Sequence, residues 1–118
     1  MQKSIFIPIK TVSEANLKEH WRVSHKRHSQ QKNVIHFELI VRYIPRQLPV
    51  VVTLTRVSPR ALDDDNLLYA LKYIRDAVAE HFVPGLPPGR ADNDPRITWK
   101  YAQDKQKDAG VRLDFDYQ

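Results

Sequence analysis

The chain contains no cysteine, and this absence removes several kinds of structure and chemistry. A disulfide framework, a thiolate zinc site and a cysteine nucleophile are all excluded. Long apolar runs are also missing, since no uninterrupted stretch approaches the roughly 20 residues that a membrane-spanning helix needs. The opening segment, MQKSIFIPIK, holds only a short apolar run that Pro8 interrupts, which is not typical of a secretory signal. We therefore expect a cytoplasmic protein without a membrane partner.

Acidic residues are in the minority, with 14 Asp and Glu against 19 Lys and Arg, so the formal net charge is +5. Excess positive charge favours a polyanionic partner, and nucleic acid is the first such partner to consider. The length of 118 residues predicts a single domain that spans residues 1–118.

Hydrophobic periodicity predicts four strands and two helices in the order β-α-β-α-β-β. Alternating or β-branched apolar residues predict strands at 4–9, 50–57, 97–101 and 111–117. The second strand is expected in the centre of the sheet, and the first at an edge because Pro8 cannot donate to a strand ladder. The last two strands are predicted to form a hairpin. This order fits a small α/β or α+β domain with a mixed four-stranded sheet.

The first predicted helix is mostly polar and basic. It is expected to begin at Ser13, which is a suitable N-cap, and its continuation over 34–44 fits a helix end or a strand. Trp21 is assigned to the core, with stacking on a nucleic-acid base as the alternative. The basic side chains predict either a solvated helix face or a phosphate-contacting surface: Lys18, Arg22, Lys26, Arg27 and Lys32.

The stretch from Arg60 to Phe82 carries the clearest helical pattern, and it opens on consecutive acids. One helical face is apolar: Leu67, Leu71, Ile74, Val78 and Phe82. The opposite flank carries polar groups: Asp65, Tyr69, Lys72 and Asp76. The pattern therefore predicts a helix with one face in the core and a polar flank that is available for chemistry.

The acids at the start of this helix have two interpretations. One Asp is a good N-cap, and negative charge is favourable at a helix N-terminus. Three in a row, Asp63, Asp64 and Asp65, exceed what capping requires, and adjacent carboxylates are hard oxygen ligands for Mg²⁺ or Mn²⁺. A second acidic group, Asp92 and Asp94, precedes the third strand. The sequence leaves open whether the two groups meet.

The run LDDDNLLYALKYIRDAV, followed after a loop by DNDPRITWKY, resembles the RusA family of Holliday junction resolvases. HWRVSHKRH and VTLTRVSPR are similar to its phage-type branch, so the resemblance covers the chain from about Lys18 to the C-terminus. It implies that Asp63, Asp65 and Asp94 are the catalytic, metal-binding acids and that Asn66 is the asparagine of the motif. Asp64 is then expected to point elsewhere, as a helix cap.

The chain departs from the family pattern in two places. Asn93 replaces the acid that is common before the third aspartate, so Asp92 stays open as the third ligand. Tyr69 stands where some members carry a catalytic lysine, and Lys72, one turn further along, is the substitute. Arg60, which opens the acidic stretch, is a further candidate for DNA contact.

The function that the resemblance implies is junction resolution in DNA recombination and repair. A homodimer would bind a four-way junction in a bacterial or phage-infected cell and, with Mg²⁺ or Mn²⁺, make paired nicks in opposing strands. Two alternatives remain. One is a non-catalytic DNA-binding module, and the other is a metal-dependent nuclease for other branched DNA or for RNA.

Overall fold

Four strands, two α-helices and a short 3₁₀ turn make up the computed structural model of the chain, which describes residues 1–11, 20–87 and 89–118. In chain order they are β1 (Gln2–Ile7), α1 (Trp21–Val41), β2 (Val50–Ser58), α2 (Asp64–Phe82), the 3₁₀ turn (Ala91–Asn93), β3 (Ile97–Lys105) and β4 (Gly110–Tyr117). This order confirms the predicted β-α-β-α-β-β arrangement and the α+β class. No described helix is both long and apolar enough to cross a membrane.

The strands form one mixed sheet in the order β1-β4-β2-β3. β2 pairs in parallel with β3 and antiparallel with β4, which confirms its predicted central position. Its side chains suit that position, because Val50, Val52 and Leu54 are at most 1% exposed. β1 lies at an edge, as predicted, and ends at Ile7 because Pro8 has no backbone N–H for the ladder.

The predicted hairpin between the last two strands is wrong, because β2 lies between β3 and β4. The segment 106–109 crosses the end of β2, where the Gln106 N–H donates to the Ser58 carbonyl at 3.1 Å. Alternation of apolar residues indicates which side of a strand faces the core, but not which strand is its neighbour. Helix α2 is the crossover connection between β2 and β3, which allows these two strands to pair in parallel. The other edge of β2 pairs with β4.

Helix α1 begins at Trp21, and the His20 ring caps it by accepting a hydrogen bond from the Arg22 N–H at 3.2 Å. The predicted start at Ser13 falls within 12–19, outside the described residues. The ambiguous segment 34–44 is helical as far as Val41.

The assignment of Trp21 to the core is wrong, because its side chain is 66% exposed. The ring stacks on His20 with centroids 5.7 Å apart. Helix α1 buries only three residues, and all lie at or beyond its midpoint: Gln31, Ile35 and Leu39. The helix therefore packs on the core only from its middle onward, which leaves its first turns at the surface.

Helix α2 confirms the predicted apolar face. Each residue of that face is at most 6% exposed: Leu67, Leu71, Ile74, Val78 and Phe82. They pack in one core cluster with Val52 and Leu54 of the sheet, and full burial of each such side chain stabilises the fold by roughly 1.5–3 kcal/mol. Because this face of α2 is buried, the opposite flank and its acids face solvent, near the start of β3.

Candidate active site at the start of helix α2

The acidic run begins with a helix cap. Asp63 has an extended backbone, with φ −68° and ψ 170°, and its carboxylate accepts a hydrogen bond from the Asn66 N–H at 2.8 Å. Asp64 and Asp65 follow in the first turn. The expectation that Asp64 is the cap is therefore wrong, since Asp64 is already helical and the cap requires the non-helical residue before it. A cap of this kind contributes about 1 kcal/mol.

The chain that leads into the cap is anchored to two strands. The Gln103 side chain of β3 bonds both backbone groups of Leu62, accepting from its N–H at 2.7 Å and donating to its carbonyl at 2.7 Å. Arg56 of β2 donates to the Arg60 carbonyl at 2.6 Å and to the Thr11 hydroxyl at 3.0 Å. Burial lowers the pKa of Arg56. These contacts, which the sequence analysis missed, hold the residues just before α2 against the sheet.

An open pocket of about 460 Å³ lies along the polar flank of α2. Helix α2 contributes Asp65, Leu68, Tyr69, Lys72 and Arg75. Asp92 of the 3₁₀ turn and Tyr101 of β3 complete the lining. The predicted flank is thus confirmed for Asp65, Tyr69 and Lys72, and the second acidic group reaches the same pocket through Asp92.

Arg75 organises one side of this pocket. Its Nε lies 3.1 Å from Asp92 Oδ2, and its terminal nitrogens donate to the Tyr101 hydroxyl and, at 3.3 Å, to the Asp92 carbonyl. The guanidinium carbon lies 4.8 Å from the Trp99 ring centroid, and the Trp99 indole N–H donates to the same Asp92 carbonyl at 3.1 Å. Arg75 and Asp92 are 27% and 19% exposed, so the ion pair is partly shielded from water.

Sequence reasoning missed both Arg75 and Tyr101. A usable signal existed for Arg75, because it follows Lys72 by three residues and therefore lies about one helical turn along the same side. Tyr101 had no comparable signal, since its place in the pocket depends on the parallel pairing of β3 with β2.

Asp76, the last residue of the predicted polar flank, lies half-buried beyond the pocket. Burial raises its pKa, and the negative charge of Asp92 adds to the increase. The positive charges of Lys32 and Lys72 act in the opposite direction. Asp76 is therefore harder to ionise than an ordinary aspartate.

Asp94 is held apart from the pocket by its neighbour Arg96. Its carboxylate accepts hydrogen bonds from the Arg96 backbone N–H at 2.9 Å and from the guanidinium at 3.0 and 2.8 Å. The side-chain and backbone hydrogen bonds from Arg96 lower the pKa of Asp94 to about 2. Of the two acids that the sequence left open as the third ligand, Asp92 shares the pocket with Asp65.

Within residues 1–11, 20–87 and 89–118, no group of three or more His, Asp or Glu side chains is placed to hold a metal ion. Two carboxylates, those of Asp65 and Asp92, line the common pocket. Such a pair fits Mg²⁺ or Mn²⁺, because Mg²⁺ is often held by one or two carboxylates together with water and substrate phosphates. The carboxylate of Asp63 is engaged in the helix cap, that of Asp94 is paired with Arg96, and that of Asp92 is paired through Oδ2 with Arg75.

The predicted DNA-contacting cations have different environments. Arg22 stacks over Trp21, with its guanidinium carbon 5.4 Å from the ring centroid, and Lys26 is exposed on α1. Arg27 is half-buried, and Lys32 pairs with Glu80 at 2.6 Å. Arg60 is exposed just before the acids at the start of α2, and Lys18 lies outside the described residues. Of the five described members of this set, Arg22, Lys26 and Arg60 are thus the most open to a polyanion.

The chain matches no protein-family model, no curated protein and no solved structure. The resemblance to the RusA family therefore stays a prediction, and the function must be argued from the pocket itself.

Proposed function

We propose that this chain is a metal-dependent endodeoxyribonuclease that cuts branched DNA, with the pocket beside α2 as its active site. One observation carries the proposal: Asp65 and Asp92, from the two acidic groups, line one open pocket together with the cations Lys72 and Arg75. Carboxylates alone repel a phosphodiester, whereas carboxylates with a divalent ion and fixed cations attract it. The net charge of +5 supports a polyanionic substrate.

Two of the pocket residues would hold the metal ion, and two others would hold the substrate. Asp65 and Asp92 would hold Mg²⁺ or Mn²⁺, which when bound lowers the pKa of a water ligand and neutralises charge on the phosphoryl group. Lys72 and Arg75 would bind the non-bridging phosphate oxygens. Asp63 would keep the first turn of α2 in place, and Asp92 would orient Arg75 through their ion pair.

The choice of a four-way junction as substrate rests on the resemblance to the RusA family and on symmetry. Such a junction is approximately two-fold symmetric, and a homodimer with two-fold symmetry would present two equivalent pockets to it. Paired nicks in opposing strands are the expected product. The protein would then act in DNA recombination and repair in the cytoplasm of a bacterial or phage-infected cell.

A cleavage assay tests the proposal. An end-labelled mobile four-way junction is compared with a linear duplex of the same sequence, each with Mg²⁺ and with EDTA. We expect symmetric nicks on the junction, lost with EDTA and reduced by at least about 100-fold in Asp65→Asn, since even groups behind a metal ligand change activity by 10–100-fold. Asp108→Asn, an exposed loop acid away from the pocket, is the matched control and should cut normally.

A non-catalytic DNA-binding module is the second candidate, and the partners that the acids already have within the protein favour it. Asp63, Asp92 and Asp94 each have a partner within the protein, respectively the Asn66 N–H, Arg75 and Arg96. This candidate requires binding that is indifferent to Mg²⁺ and is not followed by cleavage. Metal-dependent cutting of a flap, a fork or RNA in preference to the junction would instead identify a related nuclease with another substrate.

A further inference from the structure

The pocket has an apolar rim that the proposed chemistry does not use. Leu68 and Tyr69 stand side by side on α2 and are 46% and 54% exposed, although both line the same pocket as Asp65. A site that only held a metal ion and a phosphate would need charged and polar groups. Two large apolar side chains at its mouth are therefore in place to meet an apolar part of the ligand.

The neighbours of this rim identify the chemistry of that part. Lys72 lies one turn from Leu68 on α2, and Arg75 lines the same pocket about one turn further along the helix. A ligand that contacts both the cations and the apolar rim must carry a phosphate next to a flat apolar group. A nucleotide has this combination. The pocket volume of about 460 Å³ is within the range of small-ligand sites.

A paired base is not available to such a rim, because its faces are covered by neighbours in the duplex stack. Only an unpaired or extruded nucleotide exposes a face on which an aromatic ring can stack. Branched DNA supplies such nucleotides at the point where the strands exchange or separate.

We propose that Tyr69, flanked by Leu68, is a stacking platform for an unpaired nucleobase adjacent to the phosphate held in the pocket. This inference rests on the proposed action on DNA and adds the feature by which the site recognises a branch. The platform makes binding depend on a base at an unpaired position and not only on backbone charge.

The test is an equilibrium binding measurement by fluorescence anisotropy in EDTA, so that no cleavage takes place. One labelled duplex carries a short internal unpaired thymidine tract. The second probe is identical except that abasic sites replace the unpaired thymidines, which keeps every phosphate and removes the bases. Wild type, Tyr69→Ala and Tyr69→Phe are compared, and Tyr43→Asn serves as control because Tyr43 is 85% exposed and remote from the pocket.

We expect wild type to bind the thymidine probe roughly 5- to 150-fold more tightly than the abasic probe, which is the effect of stacking one base. Tyr69→Phe and Tyr43→Asn should keep this ratio, and Tyr69→Ala should bring it close to one. Equal binding of both probes by wild type overturns the inference and leaves the nuclease proposal standing. Failure to bind either probe also overturns the inference, whereas the nuclease proposal is decided separately by the cleavage assay in Mg²⁺.

Discussion

The surroundings of Asp76 oppose its charge, and this gives a prediction about pH. Its pKa is raised above the ordinary value of 3.8, chiefly by burial. The folded state therefore holds the proton more tightly than the unfolded state. Stability falls as the pH rises from about 3.8, the ordinary pKa, through the raised pKa of the folded state. We expect Asp76→Asn to raise the melting temperature at pH 7.

Thermal unfolding of the variant and wild type across pH tests this sign. Below the ordinary pKa of 3.8 the aspartate is neutral in both states, so the advantage of Asp76→Asn should vanish there. A variant that is less stable than wild type at pH 7 would show that the attraction of Lys32 and Lys72 outweighs the cost of burial.

At the residue level, sequence reasoning succeeds where helical geometry determines the answer. Asp65, Tyr69 and Lys72 share a flank because their spacing along a helix leaves no other arrangement. The roles of Asp92 and Asp94 could not be separated in that way. Asp92 lines the pocket and pairs with Arg75 of α2, whereas Asp94 pairs with the adjacent Arg96. Their order in the sequence does not indicate these partners.

The start of helix α2 depends on a side chain from another element, and this gives a prediction at the level of elements. Gln103→Ala removes both hydrogen bonds to Leu62, one residue before the Asp63 cap. Leaving partly buried backbone groups unpaired costs about 1–3 kcal/mol, so the free energy of unfolding should fall by that amount. Hydrogen exchange at the Leu62 amide, measured by NMR, should become faster.

Gln106→Ala is the matched control for this experiment. The Gln106 amide bonds only the exposed Asp104 carboxylate, at 3.3 and 3.4 Å, and its backbone bond to Ser58 survives the substitution. The control should change neither stability nor exchange at Leu62. Unchanged exchange at Leu62 in Gln103→Ala would mean that α2 starts in the same place without the β3 contact.

The elements themselves were predictable to different degrees. The existence of β2 and α2 follows from local patterns, a β-branched run and a helical stripe. β2 ends one residue later than predicted, and α2 begins at Asp64, four residues after the start of the stretch that carried the pattern. The pairing of β3 and β4 was mispredicted because partner choice depends on which strand edges remain open once the whole sheet forms. The same limit applies to Trp21, since a large apolar residue is buried only if its helix contacts the core at that turn.

At the scale of the whole molecule, the net charge of +5 predicts that DNA binding weakens with salt, and the fold suggests where the charge acts. Lys26 is exposed on α1, on the helical side of the molecule. Lys100 pairs in register with Thr53, which alternates with the buried Val52 and Leu54, so it lies on the sheet face away from the helices. The two lysines therefore provide a comparison at equal charge.

Each phosphate contact contributes about 0.9 to the slope of log affinity against log salt concentration. We expect Lys26→Gln to weaken DNA binding and reduce that slope by about 0.9, and Lys100→Gln to leave the slope unchanged, although both remove one positive charge. Titrations of a labelled junction in EDTA at several salt concentrations measure both slopes. Equal losses in the two variants would indicate that DNA responds to total charge and not to the face formed by α1, and the phosphate-contacting role of Lys26 would then be wrong.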